Sequence, residues 1–236
     1  MIWTVIPSKT DEYLDRCLSS LESCQPGSLS CVMVVDSGLH QETVLRWRRQ
    51  GVLAISAGDP FVFARAINRG VRACSETSDL LLLNDDTAMQ TRDWRSQLEL
   101  LLGRRVTEGY GILSLEIYGG VGNLLQHVDP RRPAGYVTPS DTTTIAFVAA
   151  LIRREVWTQV GELDERFTGY GWEDDDYCRR TRLAGWRCGV LAGIHVMHGW
   201  KEFPHSASYR KDYGSTLVEA SEKNRELFEA KWKGIS

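Results

Sequence analysis

Two acid-rich segments carry residue types and spacings that suit chemistry. The first is LLLLNDDT, residues 80–87. Four leucines make a buried strand, and Asn84, Asp85 and Asp86 follow where burial should end. Adjacent carboxylates repel one another unless solvent, a helix N-terminus or a cation offsets their charge. Hard divalent cations such as Mg²⁺ or Mn²⁺ take oxygen ligands of this kind. The same pair also suits a plain turn or a cap on the next helix. The second segment is GYGWEDDDYCRR, residues 169–180, with four acids in a row behind two glycines and an indole. Acids favour a helix start, which explains one or two of them more easily than four. Trp172 offers a flat apolar wall to a sugar ring, and one carboxylate at such a start can serve as a general base.

The elements that position these segments alternate. Ile2–Ile6, Cys31–Val35, Val52–Ile55, Asp79–Leu83 and Gly111–Leu115 read as strands. Between them, residues 11–24, an Arg-rich stretch after Gly38, residues 61–76 and residues 92–102 read as helices. This order predicts an α/β fold with a mostly parallel sheet flanked by helices. Ligands of such sheets sit beyond the carboxyl ends of the strands. Pro7, Asp36 and Asp85–Asp86 all fall there. Residues 116–143 are rich in Gly, Pro, Asp and Thr and predict a loop or loose hairpin over the cleft. Beyond it come a strand over Thr143–Ile152, a short helix Arg154–Val160, a helix over 173–185 and a strand Val190–Val196. Last comes an amphipathic helix from Ser215 to Lys233, with Leu217, Val218, Leu227, Phe228 and Trp232 on its apolar face.

The 236 residues suit a single α/β domain, and no linker or repeat divides them. A formal charge of −3 supplies no global field toward nucleic acid or acidic lipid. Six cysteines without a CxxC pair exclude a zinc ribbon. No apolar run reaches the ~20 residues that span a bilayer, and no secretory leader precedes the first strand. The expectation is a cytoplasmic protein with reduced thiols.

Taken together the motifs resemble the GT-A-fold glycosyltransferases of family 2. VIPSKTDEYLDRCLSSL looks like their opening strand and helix, VMVVDSG like their second strand, and FARAINRGVRAC with LLLLNDDT like their approach to the metal motif. The stretch from ALIRREVW to HVMHGW is similar to the C-terminal domain of β-1,4-galactosyltransferases. The resemblance implies a nucleotide-sugar-binding half, residues 1–115, and an acceptor half, residues 116–236. It places the DxD-type motif on Asn84, Asp85 and Asp86, with asparagine where family members usually have aspartate. Asp86 is then the metal ligand, with Asn84 or Asp85 near the ribose or the metal's waters. Asp36 matches the aspartate that reads the nucleobase, Pro7 the contact to base and ribose, and Arg65 and Asn68 positions around the donor nucleotide. The second metal ligand is a histidine after the last strand. His198 is favoured over His195, with Met197 nearby.

The resemblance further makes Asp174 the catalytic base and Glu173 a group that binds the acceptor or holds the loop, with Asp175 and Asp176 behind them. The implied reaction is a single displacement with inversion, of hexosyltransferase type, with Mn²⁺ or Mg²⁺ as cofactor. A UDP-sugar leads as donor. The acceptor is open among a saccharide, a lipid-linked glycan, a protein side chain and a modified nucleic-acid base. Two alternatives stand beside this reading. A nucleotidyltransferase would carry a Gly-rich, basic loop where this chain has IPSKTDEY. A non-catalytic relative would bind nucleotide or sugar without turnover.

Overall fold

A computed structural model describes residues 1–120, 123–169, 171–199 and 216–234. In the first half, strands β1 (Ile2–Ser8), β2 (Val32–Asp36), β3 (Leu53–Ser56) and β4 (Asp79–Leu83) alternate with helices α1 (Asp11–Cys24), α2 (Gln41–Arg48) and α3 (Phe63–Arg72). A short strand β5 (Thr87–Met89), helix α4 (Trp94–Leu102) and the long strand β6 (Tyr110–Gly119) follow. The second half holds β7 (Val137–Pro139), β8 (Ala149–Ile152), α5 (Arg154–Val160), α6 (Glu173–Leu183), β9 (Arg187–His198) and α7 (Leu217–Trp232). Ser215, where the last helix was expected to begin, lies outside the described residues, as do Tyr170 and Trp200 of the family-like motifs.

The strands form one sheet in the order β3-β2-β1-β4-β8-β6-β9-β5, with β7 also paired to β9. Strands β1 to β4 are mutually parallel, as the alternating pattern requires. The sheet as a whole is mixed, because β8 runs antiparallel between β4 and β6, and β5 and β7 run antiparallel to β9. Strand β6 is parallel to β9, so the carboxyl ends of β1, β2, β4, β6 and β9 share one rim.

Apolar residues cover both faces of this sheet. On one face Leu81 and Leu83 pack with Leu14, Cys17, Leu18 and Leu21 of α1 and with Trp94 and Leu98 of α4. On the other, Leu80 and Leu82 pack with Ile67 and Val71 of α3, Trp157 of α5 and Tyr177 of α6. Alternate residues of a strand point to opposite faces, so four consecutive leucines fill a strand buried on both.

Several expectations shift. Strand β6 runs to Gly119, so the segment expected as a loop from residue 116 begins as strand. Its pairing with β9 accounts for the extension. The strand expected over Thr143–Ile152 shrinks to Ala149–Ile152. The residues before it turn out to bond side chains, as Gln126 does by accepting from the Ala146 amide at 2.9 Å and donating to its carbonyl at 3.0 Å. Helix α7 leaves Val218 largely exposed. It docks instead through a buried polar residue, Asn224, and through Phe228 and Trp232. Among the described residues, no helix is long and apolar enough to cross a membrane. All six cysteines are free thiols.

Candidate functional site

The rim is assembled from strand ends. At the end of β1, Ser8 Oγ donates to Asp85 Oδ2 at 2.7 Å, which ties the acid pair to the neighbouring strand. The Lys9 backbone N–H also reaches Asp85. Burial, and then repulsion from Asp86, push the Asp85 carboxyl up to about 7. Asn84 donates its amide to the Val148 carbonyl at 2.9 Å, and its own carbonyl accepts from Thr87 Oγ1 at 2.7 Å. The sharp exit from β4 thus holds both aspartates at the rim.

Asp86 is almost fully buried, and its Oδ1 lies 3.3 Å from His198 Nε2. That oxygen finds no hydrogen-bond geometry with any partner. The other imidazole nitrogen, Nδ1, donates to the Gly120 carbonyl. With its Nδ1–H fixed there, His198 presents Nε2 to Asp86 as either an N–H or a bare lone pair. A lone pair facing a carboxylate oxygen calls for a cation between them. Burial alone would push the His198 imidazole down, but the Asp86 carboxylate and the Gly120 carbonyl outweigh it and raise it. One oxygen and one imidazole nitrogen, the latter oriented by a backbone carbonyl, suit Mn²⁺ or Mg²⁺. Among the described residues no group of three or more His, Cys, Asp or Glu side chains is placed to hold a metal. The described residues therefore offer this pair.

Gly119 is what lets the strands close here. It has φ +94°, and a Cβ on it would lie 2.3 Å from the His198 carbonyl oxygen. Gly119→Ala should separate β6 from the end of β9, moving His198 off Asp86. The check is loss of metal-dependent stabilisation in thermal unfolding.

His195 goes elsewhere. Its Nε2 lies 3.0 Å from Glu116 Oε2, and that buried carboxylate also accepts from Arg132 and the Gly193 amide. The structure brings His198, not His195, to Asp86.

The second acid group starts α6. The Asp174 carboxylate accepts from the Asp175 amide at 3.0 Å and from the backbone N–H of Phe147. Phe147 is followed by Val148, whose carbonyl holds Asn84. Two adjacent residues before β8 thus bridge the acids of α6 to those after β4, and both groups open on the same rim. Glu173 and Asp174 are raised well above the ordinary carboxylate range. Burial is the main cause, and neighbouring carboxylates add to it. Asp175 accepts from Thr144 Oγ1. Asp176 is fully buried and tied to Arg180, Trp232 and Lys231, which makes it a tie between helices.

Helix α7 braces this acid loop. Trp172, just before α6, has φ 76°, which is strained for a bulky residue. Its ring packs 5.3 Å from that of Phe228, and its indole N–H points to Ser221 Oγ at 3.4 Å. Asn224 donates to the Gly171 carbonyl at 2.7 Å. Gly169 sits so close to α7 that a Cβ would lie 2.3 Å from the Ala220 carbonyl oxygen. Gly169→Ala should therefore lower the unfolding temperature and cut turnover together. An unchanged melting curve would show that α7 yields at no cost.

The remaining sequence-derived residues spread over the β1–β3 side of the sheet. Pro7 is buried in β1 opposite Val35 of β2. Asp36 ends β2 and accepts the amides of Gly38 and Leu39, both at 2.8 Å. It lines a cleft of about 620 Å³ with Lys9, Ser56, Asp59 and Phe61. That volume suits a small ligand such as a nucleoside. Arg65 spans from the Pro60 carbonyl to Glu165 and does not line the cleft. Asn68 lies inside the protein, fully buried, with its amide bonded to both backbone groups of Leu163 and to Glu165. The structure places it as a tie between α3 and the segment before α6, not on the rim. Asn68→Ala should cost about 2–4 kcal/mol by orphaning those buried groups, read by denaturant unfolding. Sequence reading missed Ser8, Lys9, Phe61, Phe147 and Gly120. Ser8 and Lys9 had a signal, since they follow the β1 run at the same rim as Asp36.

No family model matches the chain. It is 24% identical over 229 residues to an uncharacterised protein, y4gI, of Sinorhizobium fredii (strain NBRC 101917 / NGR234). The match takes in 86% of this chain but only 24% of that relative. Among solved structures it is similar to GalNAc-T7, crystallised with UDP, GalNAc and Mn²⁺, at a TM-score of 0.64 and 14% identity. That match covers all of this chain and 52% of the other. It is also similar to residues 1–349 of S. aureus TarS in complex with UDP, at a TM-score of 0.59 and 14% identity, covering all of this chain and 73% of that one. The fold is accordingly the α/β GT-A fold of glycosyltransferases.

Proposed function

We propose that the chain is a metal-dependent, inverting glycosyltransferase of hexosyltransferase type that moves a sugar from a UDP-sugar to an acceptor hydroxyl. One observation carries this reading. A buried carboxylate–imidazole pair, Asp86 and His198, opens on the same rim as two carboxyls with raised proton affinity, Glu173 and Asp174. The solved neighbours that hold UDP add support. On this reading residues 1–115 form the donor half and residues 116–236 the acceptor half.

The cleft beside Asp36, Lys9 and Phe61 takes the nucleoside, with Pro7 at the end of β1 and Arg65, held by Glu165, in supporting positions outside its lining. Asn84 and Asp85 lie beside the ribose and diphosphate. Asp86 and His198 would hold Mn²⁺ or Mg²⁺, which offsets charge on the departing diphosphate. Trp172 and Glu173 border the acceptor, and Asp174 takes its proton as the hydroxyl attacks the anomeric carbon. The acceptor class stays open among saccharide, lipid-linked glycan, protein and modified base.

The test is a thermal-shift screen of nucleoside diphosphates and their sugars, with and without Mn²⁺, followed by measurement of diphosphate release. Stabilisation by UDP that needs the metal, plus turnover, supports the reading. Binding without turnover favours a non-catalytic protein.

A pH prediction separates this site from a merely structural acid cluster. A base acts only when ionised, so a raised carboxyl moves the acidic limb of kcat/KM upward. Activity should still be rising through neutral pH, well beyond the about pH 4–5 at which an ordinary carboxylate is fully engaged. Stability runs the other way. Carboxyls whose folded values exceed their unfolded ones bind more protons when folded, so the ligand-free protein loses stability as pH rises across that window. For Asp85 it extends from the ordinary 3.8 to about 7. An activity profile already level by about pH 5 would count against Asp174 as base.

A further inference from the structure

A single side chain of α7 holds both sides of the turn that leads into α6. Asn224 is only 1% exposed. Its Oδ1 accepts the Gly169 amide at 3.3 Å, and its Nδ2 donates to the Gly171 carbonyl at 2.7 Å. A carboxamide carries an acceptor and two donors, so it can pair with an N–H and a C=O at once. The two backbone groups lie 55 and 53 positions away along the chain. A polar side chain this deep is retained only with its hydrogen bonds met, and here they are met by the turn.

The backbone held in this way would not take its path unaided. Gly171 has φ 74° and Trp172 φ 76°, two left-handed residues in succession. Glycine adopts that region freely, whereas a bulky residue stays there only where its surroundings impose it. Trp172 is also the N-cap of α6, and its carbonyl accepts the Asp176 amide at 3.0 Å. The turn therefore sets where α6 begins, and Glu173 and Asp174 are the first two residues of that helix. Other side chains of α7 meet the same stretch, Ser221 and Phe228 at Trp172, Lys231 and Trp232 at Asp176. The donor side is built from strand ends instead, with Asp36 ending β2, Asp86 following β4 and His198 ending β9.

We infer that Asn224 is a positioning residue for Glu173 and Asp174, so that α7 governs the acceptor side of the rim separately from the donor side. The assignment rests on the glycosyltransferase reading of those two acids. A carboxyl that takes a proton during attack must be held in line with the reacting hydroxyl, and a shift of about 1 Å costs about a hundredfold in rate. Asn224 acts through the turn and not on the reactants. Its two hydrogen bonds fix the Gly169–Trp172 backbone, and that backbone fixes the first turn of α6.

The experiment compares the unaltered chain with Asn224→Leu, which removes both hydrogen bonds, and Asn224→Asp, which keeps the shape but sets an acceptor against the Gly171 carbonyl. Three quantities are measured. They are amide hydrogen exchange by peptide mass spectrometry, the thermal shift with UDP and Mn²⁺, and UDP release from UDP-glucose, UDP-galactose and UDP-N-acetylglucosamine. Release is followed in water alone and with p-nitrophenyl glycosides as acceptor probes. Exchange across residues 173–178 should rise at least about tenfold, with β1 and β4 unchanged. UDP release should fall about tenfold to a hundredfold while UDP affinity in Mn²⁺ stays within about twofold. Unchanged exchange or unchanged release in a folded variant overturns the assignment. So does a loss of UDP affinity as large as the loss of release, or failure of both variants to fold, either of which makes Asn224 a general support of the fold. A lack of UDP binding and release in the unaltered chain strikes instead at the transferase reading, and the exchange data then still decide whether Asn224 sets the start of α6.

Discussion

Asp174→Asn should lower turnover by about 10³-fold, about 4 kcal/mol of barrier, while UDP and metal affinity stay within about twofold of the unaltered protein. Asparagine keeps the shape of the side chain and a carbonyl oxygen for the Asp175 and Phe147 amides that now hold the carboxylate. What disappears is the negative charge and with it the ability to take a proton. The expected signature is therefore a fall in kcat with donor binding intact. Glu173→Gln provides the contrast. The Asp174 carboxylate adds to the rise of Glu173, so Asp174→Asn should also ease ionisation of Glu173. If Glu173 only holds acceptor, its variant raises KM and spares most of kcat. A loss of donor affinity in Asp174→Asn as large as its loss of turnover would instead make Asp174 part of the donor site. Diphosphate release, measured beside thermal shifts with UDP and Mn²⁺, separates the two.

Asp86→Ala should abolish metal-dependent nucleotide binding, at least a tenfold loss in apparent affinity at about 1 mM metal. The ligand-free protein should remain folded. Asp86 Oδ1 makes no hydrogen bond that the fold needs, and His198 keeps the Gly120 carbonyl. Removing the carboxylate also relieves Asp85 of a like-charged neighbour, so the Asp85 carboxyl should move down from about 7. The variant thus combines an unfolding temperature that is unchanged or raised above neutral pH with a missing response to Mn²⁺ plus UDP. His198→Ala should lose the same response. A full metal-dependent shift in Asp86→Ala would remove this pair from metal binding.

The sequence by itself carried the alternating strands and helices from β1 to β4 and the chemistry-bearing residue types. Helix α1 buries Tyr13, Leu14, Cys17, Leu18 and Leu21, the residues that a 3.6-residue period selects. The β4 leucines fill both faces, and the acids begin where the strand ends. These features are local, so the order of residues suffices to find them.

Only the tertiary structure decided what depends on register and on packing between distant segments. Asn68 looked like a donor contact by motif, but pairing with Leu163, 95 positions away, draws it into the interior. The bracing of Trp172 by α7 joins segments whose patterns say nothing of each other. The choice between His195 and His198 turned on an irregularity in β9. Leu115 pairs with Leu191, but the next residue, Glu116, pairs with His195, so three residues bulge out. An odd number of extra residues reverses which side chains face which way. Leu191 and then Ile194 and Val196 share one face across the bulge, which carries His198 along with Val196 and turns His195 to the other side. Strict alternation read along the sequence carries no trace of that reversal, because the bulge is set by the partner strand.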